Sequence, residues 1–479
     1  MTSPVIFWFR RDLRLSDLPG LQAAAATGRP LIACYILDEL APGEWAPGAA
    51  SRWWLHHSLT ALAGNVEQLG GRLILRKGET LVELDSLLKE TGATALYCSR
   101  HYEPWAATLE RSVHDALSPR QITFKRFPGS LLFEPEAIAT QGGGPFKVFT
   151  PFWRKCCSET SPAAPKDAPA DINWFDGKLA SDTLDDWRLR PAAPDWAAQW
   201  REYWHPGSDG ARRRLRHFFG GAIENYAEGR NHPALEATTR LSPHLHFGEI
   251  SPRQVWHAAK AHARGNPEHV EQVDKFLSEL GWREFSYHLL HHFPTVPDEP
   301  FKQQFSGFPW LGSPQSLRAW QKGETGYPLV DAGMRELWQT GYMHNRIRMV
   351  VASFLTKHLL VHWRAGARWF WDTLVDADLA NNSAGWQWVA GSGADASPYF
   401  RIFNPITQGE KFDSEGIYIR RWVPELAGLP DRYLGRPWEA PVEVLEAAGV
   451  VLGDTYPHPI VEHREAREAA LAAYASNKE

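Results

Sequence analysis

Residues 363–412 read WRAGARWFWDTLVDADLANNSAGWQWVAGSGADASPYFRIFNPITQGEKF. An ordinary core segment sorts its polar residues onto one face, but here Asp376, Asp378, Asn381 and Asn382 interrupt apolar positions and so require buried partners. Trp363, Trp369, Trp371, Trp386 and Trp388 crowd the same stretch. The combination describes an aromatic box around a polar ligand. Trp386 and Trp388, two residues apart, lie roughly 200° apart on a helix, so one faces the protein and the other a cavity.

Working outward, helical periodicity recurs at 211–228, 251–264, 268–292, 328–340, 343–361 and 366–375, and no convincing strand lies beyond 206. Residues 206–479 are therefore expected to form an all-α domain. The first 127 residues read differently. Short apolar or β-branched runs at 5–9, 31–37, 72–77, 95–99 and 122–127 alternate with helical patterns such as 51–69 and 80–91. That alternation predicts an α/β doubly wound parallel sheet over 1–127. It carries no GxGxxG, so no conventional dinucleotide site is expected. Arg10, Arg11, Asp12 and Arg14 follow the first strand, where they either meet a ligand or form a salt-bridged loop. Residues 128–205, with SPAAPKDAPADINW at 161–174, lack periodicity and read as a long linker laid over the surface.

With 479 residues the chain exceeds one core, which agrees with two domains and a linker. Its 23 Trp against 13 Tyr are more than cores alone usually require; large cores and surface anchors account for most of them, and some indoles are expected to stack on a ligand or move electrons. A net charge of −5 gives no global attraction to nucleic acid, so a DNA site would be a local patch. In ARRRLRHFF (211–219) four arginines flank an apolar stripe, either as a solvated helix face or as phosphate contacts. Cys34, Cys98, Cys156 and Cys157 have no metal-ligand spacing, so reduced thiols and no metal centre are expected. The N-terminus lacks signal-peptide architecture and no apolar run approaches 18 residues, so the expectation is a soluble, cytoplasmic protein.

Three further constellations carry chemistry. Thr238, Thr239 and Ser242 precede the helical pattern near Ser251, where hydroxyls and free N–H groups either cap a helix or cradle an anion such as pyrophosphate. In FLSELGWREF (276–285), Glu279, Trp282 and Arg283 fall one turn apart, bringing together a carboxylate, an indole and a cation. In YMHNRIRMVVASFL (342–355), Asn345, Arg346, Arg348 and Met349 recur at helical spacing.

The element D-x-D-L-A-x-N-x-x-G-W-Q-W (376–388), the P-Y-F-R-I-F-N-P run (398–405), T-T-x-L-S (238–242) and RRDLR (10–14) together resemble the photolyase/cryptochrome family, over nearly the whole chain. The resemblance implies FAD held by Tyr226, Thr238, Thr239, Leu241, Ser242, Phe276, Arg348, Asp376, Asp378 and Asn382, with Arg348 bridged to Asp376 and Asn382 facing flavin N5. A neutral amide there accepts from N5–H without repelling a reduced flavin anion, whereas plant cryptochromes carry Asp. It further implies a lesion pocket of Glu279, Trp282, Asn345, Met349 and Trp388, DNA contacts from Arg230, Arg283, Arg346, Arg401 and Lys411, and an electron-transfer chain of Trp386, Trp363 and Trp310. Trp369 and Trp371 are spare indoles that offer a branch.

The implied activity is light-driven repair of cyclobutane pyrimidine dimers in DNA by a monomer, with a cryptochrome-type photoreceptor as the alternative. The (6-4) repair branch places a second His after the His matched by His344, where this chain has Asn345. A second, antenna chromophore is implied, methenyltetrahydrofolate ahead of a deazaflavin. Two positions depart from the family pattern. YEPWAAT (102–108) stands where many relatives place Asn-Glu, and Phe276 replaces a Trp common near the flavin.

Overall fold

The five N-terminal apolar runs become one parallel sheet: β1 (Val5–Phe9), β2 (Leu31–Leu37), β3 (Leu73–Lys77), β4 (Ala95–Ser99) and β5 (Thr123–Phe127), in the order β3-β2-β1-β4-β5. The computed structural model describes residues 2–159, 161–395 and 400–477. β1 is central and wholly buried, with Val5 in register with Leu31 on one side and Ala95 on the other. A strand covered on both faces must be apolar at every position, which is why VIFWF shows no alternation. β5 lies at the edge and exposes Thr123, Lys125 and Arg126, polar residues that discourage edge pairing.

The chain divides into two compact units, each assembled from separate stretches: Met1–Ile223, Thr239–Pro294 and Val375–Ala380 in the first; Glu224–Thr238, Thr295–Leu374 and Asn381–Glu479 in the second. The first unit thus takes in helix Val270–His292 as well as the sheet. The connector is tied down within it. Trp174 bridges to Leu31 and donates its indole N–H to the Leu69 carbonyl at 2.7 Å. The connector also contains a helix, Phe149–Glu159, which the Pro/Ala-rich composition around it concealed. Among the described residues of the second unit there is no named strand.

Two helical expectations are redrawn. The 211–228 pattern resolves into helix Ser208–Phe219 and shorter turns, because Gly220 and Gly221 end the run. The 343–361 pattern is an α-helix only over Asn345–Ser353 and continues as a π-helical turn, Phe354–His358. Such turns commonly mark functional segments.

Candidate cofactor and nucleic-acid site

In the first unit the acidic loop is fixed by partners distant in sequence. Ser242 donates its hydroxyl to Asp376 at 2.6 Å. Asp378 accepts from His246 Nδ1 at 3.1 Å and from the Tyr287 hydroxyl. Burial alone would raise the Asp378 carboxyl, but the bond to His246, the charge of Arg283 and the Tyr287 hydroxyl hold it well below the usual carboxylate range. Burial, then the charge of Arg11, lowers the His246 pKa against the opposing pull of Asp378. Thr239 accepts the Leu241 N–H at 3.3 Å, ahead of the short helix Ser242–His246. Ser251 instead caps the next helix, Pro252–Gly265, in a capping box with Gln254. The Thr/Ser cluster is therefore not that helix's cap.

Helix Val270–His292 presents the next group. Phe276 is buried against Phe218, ring centroids 4.8 Å apart. Glu279 lies 3.5 Å from Lys275, one turn back. Trp282 is stacked face to face on Phe149 at 3.8 Å, so one face of the indole is already covered. Arg283 turns inward: it donates to the Ser130 carbonyl at 2.9 Å and lies over the Tyr287 ring. Beside it, buried Glu284 accepts from the Leu132 and Phe133 N–H groups. Both residues bind this helix to the start of the connector.

The RRDLR loop is a salt-bridged one. Arg10 pairs with Glu110, Arg11 with Glu103, and Arg14 donates to the carbonyls of Asp17, Gly129 and Gly248. Glu103, from the divergent YEPWAAT segment, is thereby committed to the loop.

In the second unit, Asn382 is half-buried on helix Leu379–Ala390 and donates its amide to the Ala367 carbonyl at 3.0 Å. Its own oxygen is thus oriented as an acceptor, which suits a ligand N–H and fits the flavin the motif implies. Trp386 is buried on the same helix, with Phe370 at 5.0 Å and Trp320 at 6.1 Å, while Trp388 is half-buried, the division the helical spacing required. Gly366 makes room for Trp386, whose six-membered ring occupies the place of a Cβ. Gly366 is one turn from buried Trp363, and Trp310 follows, half-buried.

The helix is clamped at its C-terminal end. Buried Lys357, in the π-turn, donates to the Ala390 carbonyl at 2.7 Å, and Gln387 donates to the Val296 and Glu299 carbonyls. Burial pushes the Lys357 amine well below the usual lysine range. Nothing in the sequence marks Lys357 as different from a surface lysine. Trp338 was also missed: it is exposed and stacked on Trp369 at 6.2 Å, with an interplanar angle of 6°.

A cationic surface forms around helix Asn345–Ser353. Asn345 is exposed and Met349, one turn on, half-buried. Arg346 donates to Asn231 at 2.6 Å and lies over the Phe412 ring at 4.2 Å. Partial burial, then the charges of Arg230 and Arg401, lower its pKa, which locates three guanidinium groups within one field. Arg401 and Lys411 are exposed over Phe403 and Phe412, and Arg230 lies over buried Tyr226. Convergent cations of this kind make a local positive field suited to an anion. Arg348 bonds the Met343 carbonyl at 2.8 Å; Thr238 is half-buried.

Comparison with known proteins is decisive at this point. Residues 5–170 match the DNA photolyase family and residues 276–476 the FAD binding domain of DNA photolyase. The chain is 50% identical to the deoxyribodipyrimidine photo-lyase of Agrobacterium fabrum over 100% of its length and 98% of the relative's. This chain belongs to the photolyase/cryptochrome family. Among solved structures of that family, the class III photolyase of Agrobacterium tumefaciens superposes with a TM-score of 0.96 at 50% identity, covering 100% of this chain and 98% of the other. The photolyase/cryptochrome chain is also 39% identical to cryptochrome-1 of Arabidopsis thaliana, over 96% of its own length and 69% of that protein's. The Escherichia coli photo-lyase stands at 38%, over 99% and 98%. Overall identity therefore does not rank plant cryptochromes below distant photolyases within the family, and the distinction rests on the site. Among the described residues no helix is long and apolar enough to cross a membrane, and no cluster of metal ligands occurs.

Proposed function

We propose that this protein is a DNA photolyase that repairs cyclobutane pyrimidine dimers, a deoxyribodipyrimidine photo-lyase like its 50%-identical relative. The observation that carries the reading is Asn382, whose amide is fixed by Ala367 so that a neutral oxygen, not a carboxylate, is offered to the flavin. Bound FAD supplies the photochemistry, an electron lent to the dimer under blue light and returned after it splits. The chain's own residues bind, orient and shield. Tyr226, Thr238, Thr239, Leu241, Ser242, Phe276, Arg348, Asp376, Asp378 and Asn382 hold the cofactor, Asp378 remaining ionised and Asp376 oriented by Ser242.

Arg230, Arg346, Arg401 and Lys411 take the phosphates, which gives salt-dependent affinity independent of sequence. The dimer, weakly stacked, flips from the duplex into a pocket of Trp282, Trp388 and Met349, with Glu279 and Asn345 as its polar contacts. Arg283, held by Ser130, acts as a tie within the protein rather than as a DNA contact. Trp310, Trp363 and Trp386 carry electrons inward. Residues 1–127 form the antenna domain, 128–205 the connector and 206–479 the catalytic domain of a cytoplasmic monomer. Methenyltetrahydrofolate is the favoured antenna over a deazaflavin.

A second reading, a cryptochrome photoreceptor, draws on the likeness to the Arabidopsis protein and to the Synechocystis cryptochrome structure, which has a TM-score of 0.89 at 29% identity over 99% of both chains. Purified protein is examined for bound FAD and given ultraviolet-irradiated oligothymidylate in blue light and in darkness. Dimer loss only in light supports photolyase; bound FAD with no dimer loss in either arm supports the photoreceptor.

A further inference from the structure

Between two of the indoles lies a side chain the motif does not name. The ring of His362 is 5.0 Å from that of Trp310 and 5.7 Å from that of Trp363, nearly parallel to the latter at 28°. Its Nδ1 accepts the Arg364 N–H at 3.1 Å, which caps helix Trp363–Thr373 and fixes the neutral tautomer with hydrogen on Nε2. The charges acting on the ring are Arg364 and Arg368, both on its own helix; Arg364 is itself paired with Asp298 at 2.8 Å. Burial, then the charges of the two arginines, lowers its pKa.

We propose that His362 is an electrostatic gate on the outer half of the tryptophan chain, passing oxidising equivalents outward only while its imidazole is neutral. The inference rests on the reading of Trp386, Trp363 and Trp310 as that chain. Outward passage means that Trp363 gives one electron to oxidised Trp386, and Trp310 then gives one to oxidised Trp363. Oxidised Trp310 releases its indole proton to solvent, and a thiol in solution returns a hydrogen atom, becoming a thiyl radical. An imidazolium between Trp363 and Trp310 raises the energy of a positive charge on either ring but acts less on Trp386. The charge is then kept on the inner indole, where it recombines. Burial and the two arginines of the helix act against imidazolium formation, the arrangement such a gate requires.

The test compares His362→Phe, His362→Lys and His362→Asn in the FAD-loaded protein. Phe and Lys both lose the helix cap, so they differ mainly in charge; Asn keeps a capping oxygen and cannot titrate. We expect photoreduction yield in His362→Lys to fall at least about tenfold below His362→Phe, since unit charges about 5 Å apart interact strongly in a partly buried site. In wild type the yield should decline in step with His362 protonation followed by NMR in the dark, at pH values below the ordinary imidazole pKa of about 6.5, and His362→Asn should abolish that decline. Equal yields in the Lys and Phe variants overturn the gate, as does an acid decline with unchanged midpoint in His362→Asn. Trp310→Phe separates the two levels. Wild-type photoreduction in that variant overturns the chain and the gate with it, whereas a dead Trp310→Phe beside equal Lys and Phe variants overturns the gate alone.

Discussion

The side-chain amide of Asn382 donates to the main-chain oxygen of Ala367 at 3.0 Å, across fifteen residues of sequence. Asn382→Asp replaces a donor with a carboxylate facing that carbonyl and sets a negative charge beside the flavin. We expect the fully reduced flavin to form only at lower potential in an anaerobic reductive titration, because the charge opposes the reduced anion. A titration that superposes on wild type would remove Asn382 from flavin N5.

Glu284 gives a pH signature of the fold. Burial pushes its carboxyl from 4.5 up to about 7, against the pull of Arg283 and the Phe133 and Leu132 N–H groups. A carboxyl whose folded pKa is raised binds its proton more tightly when folded. Its contribution is complete below about pH 4.5 and is lost as pH rises to about 7, amounting to about 3 kcal/mol. Glu284→Gln should therefore flatten the fall in melting temperature across that interval. A slope equal to wild type contradicts the assignment.

Trp386→Phe should abolish light-driven reduction of the oxidised cofactor while leaving repair by chemically pre-reduced enzyme nearly intact. Among the described residues the indole N–H of Trp386 has no hydrogen-bond partner, so its loss strands no buried group there and the fold should persist. Flash photolysis checks the first half and a dithionite-reduced repair assay the second. Photoreduction at the wild-type rate would place the electron path elsewhere.

Arg346→Ala should weaken binding to damaged and undamaged DNA alike and flatten the salt dependence by about one unit for the lost phosphate contact. The guanidinium is pre-positioned by Asn231 and the Phe412 ring, so little ordering remains at binding. Filter binding at several salt concentrations reads both quantities. A loss confined to damaged DNA would move Arg346 into the lesion pocket.

The sheet was legible because parallel strands buried on both faces are continuous apolar runs, and each expected strand lies within one residue of its place. The helical half was legible in outline. The π-turn was not, since a five-residue departure from the 3.6 period leaves no pattern of its own. Of the site, the spacing of Trp386 and Trp388 foretold that the two indoles face different surroundings, though not which of them is buried. Arg283 could not be read that way: its partner Ser130 is 153 residues distant, and only tertiary structure reveals that the cation is committed. The same holds for Phe149, hidden in the connector yet stacked on Trp282, and for His362, whose place between two indoles requires the loop carrying Trp310 to fold back upon it.

A cyclobutane dimer, compact and largely apolar with carbonyl edges, needs flat or soft walls and a few hydrogen-bonding groups; a (6-4) product needs a proton delivered by a positioned histidine. The measurement that bears most directly on this protein is repair of two oligonucleotides, one carrying each lesion, by the dithionite-reduced enzyme under blue light and in darkness. The account predicts light-dependent restoration of the cyclobutane-dimer strand and none of the (6-4) strand. Repair of the (6-4) strand, or an unaltered cyclobutane dimer after illumination of FAD-loaded protein, would contradict it.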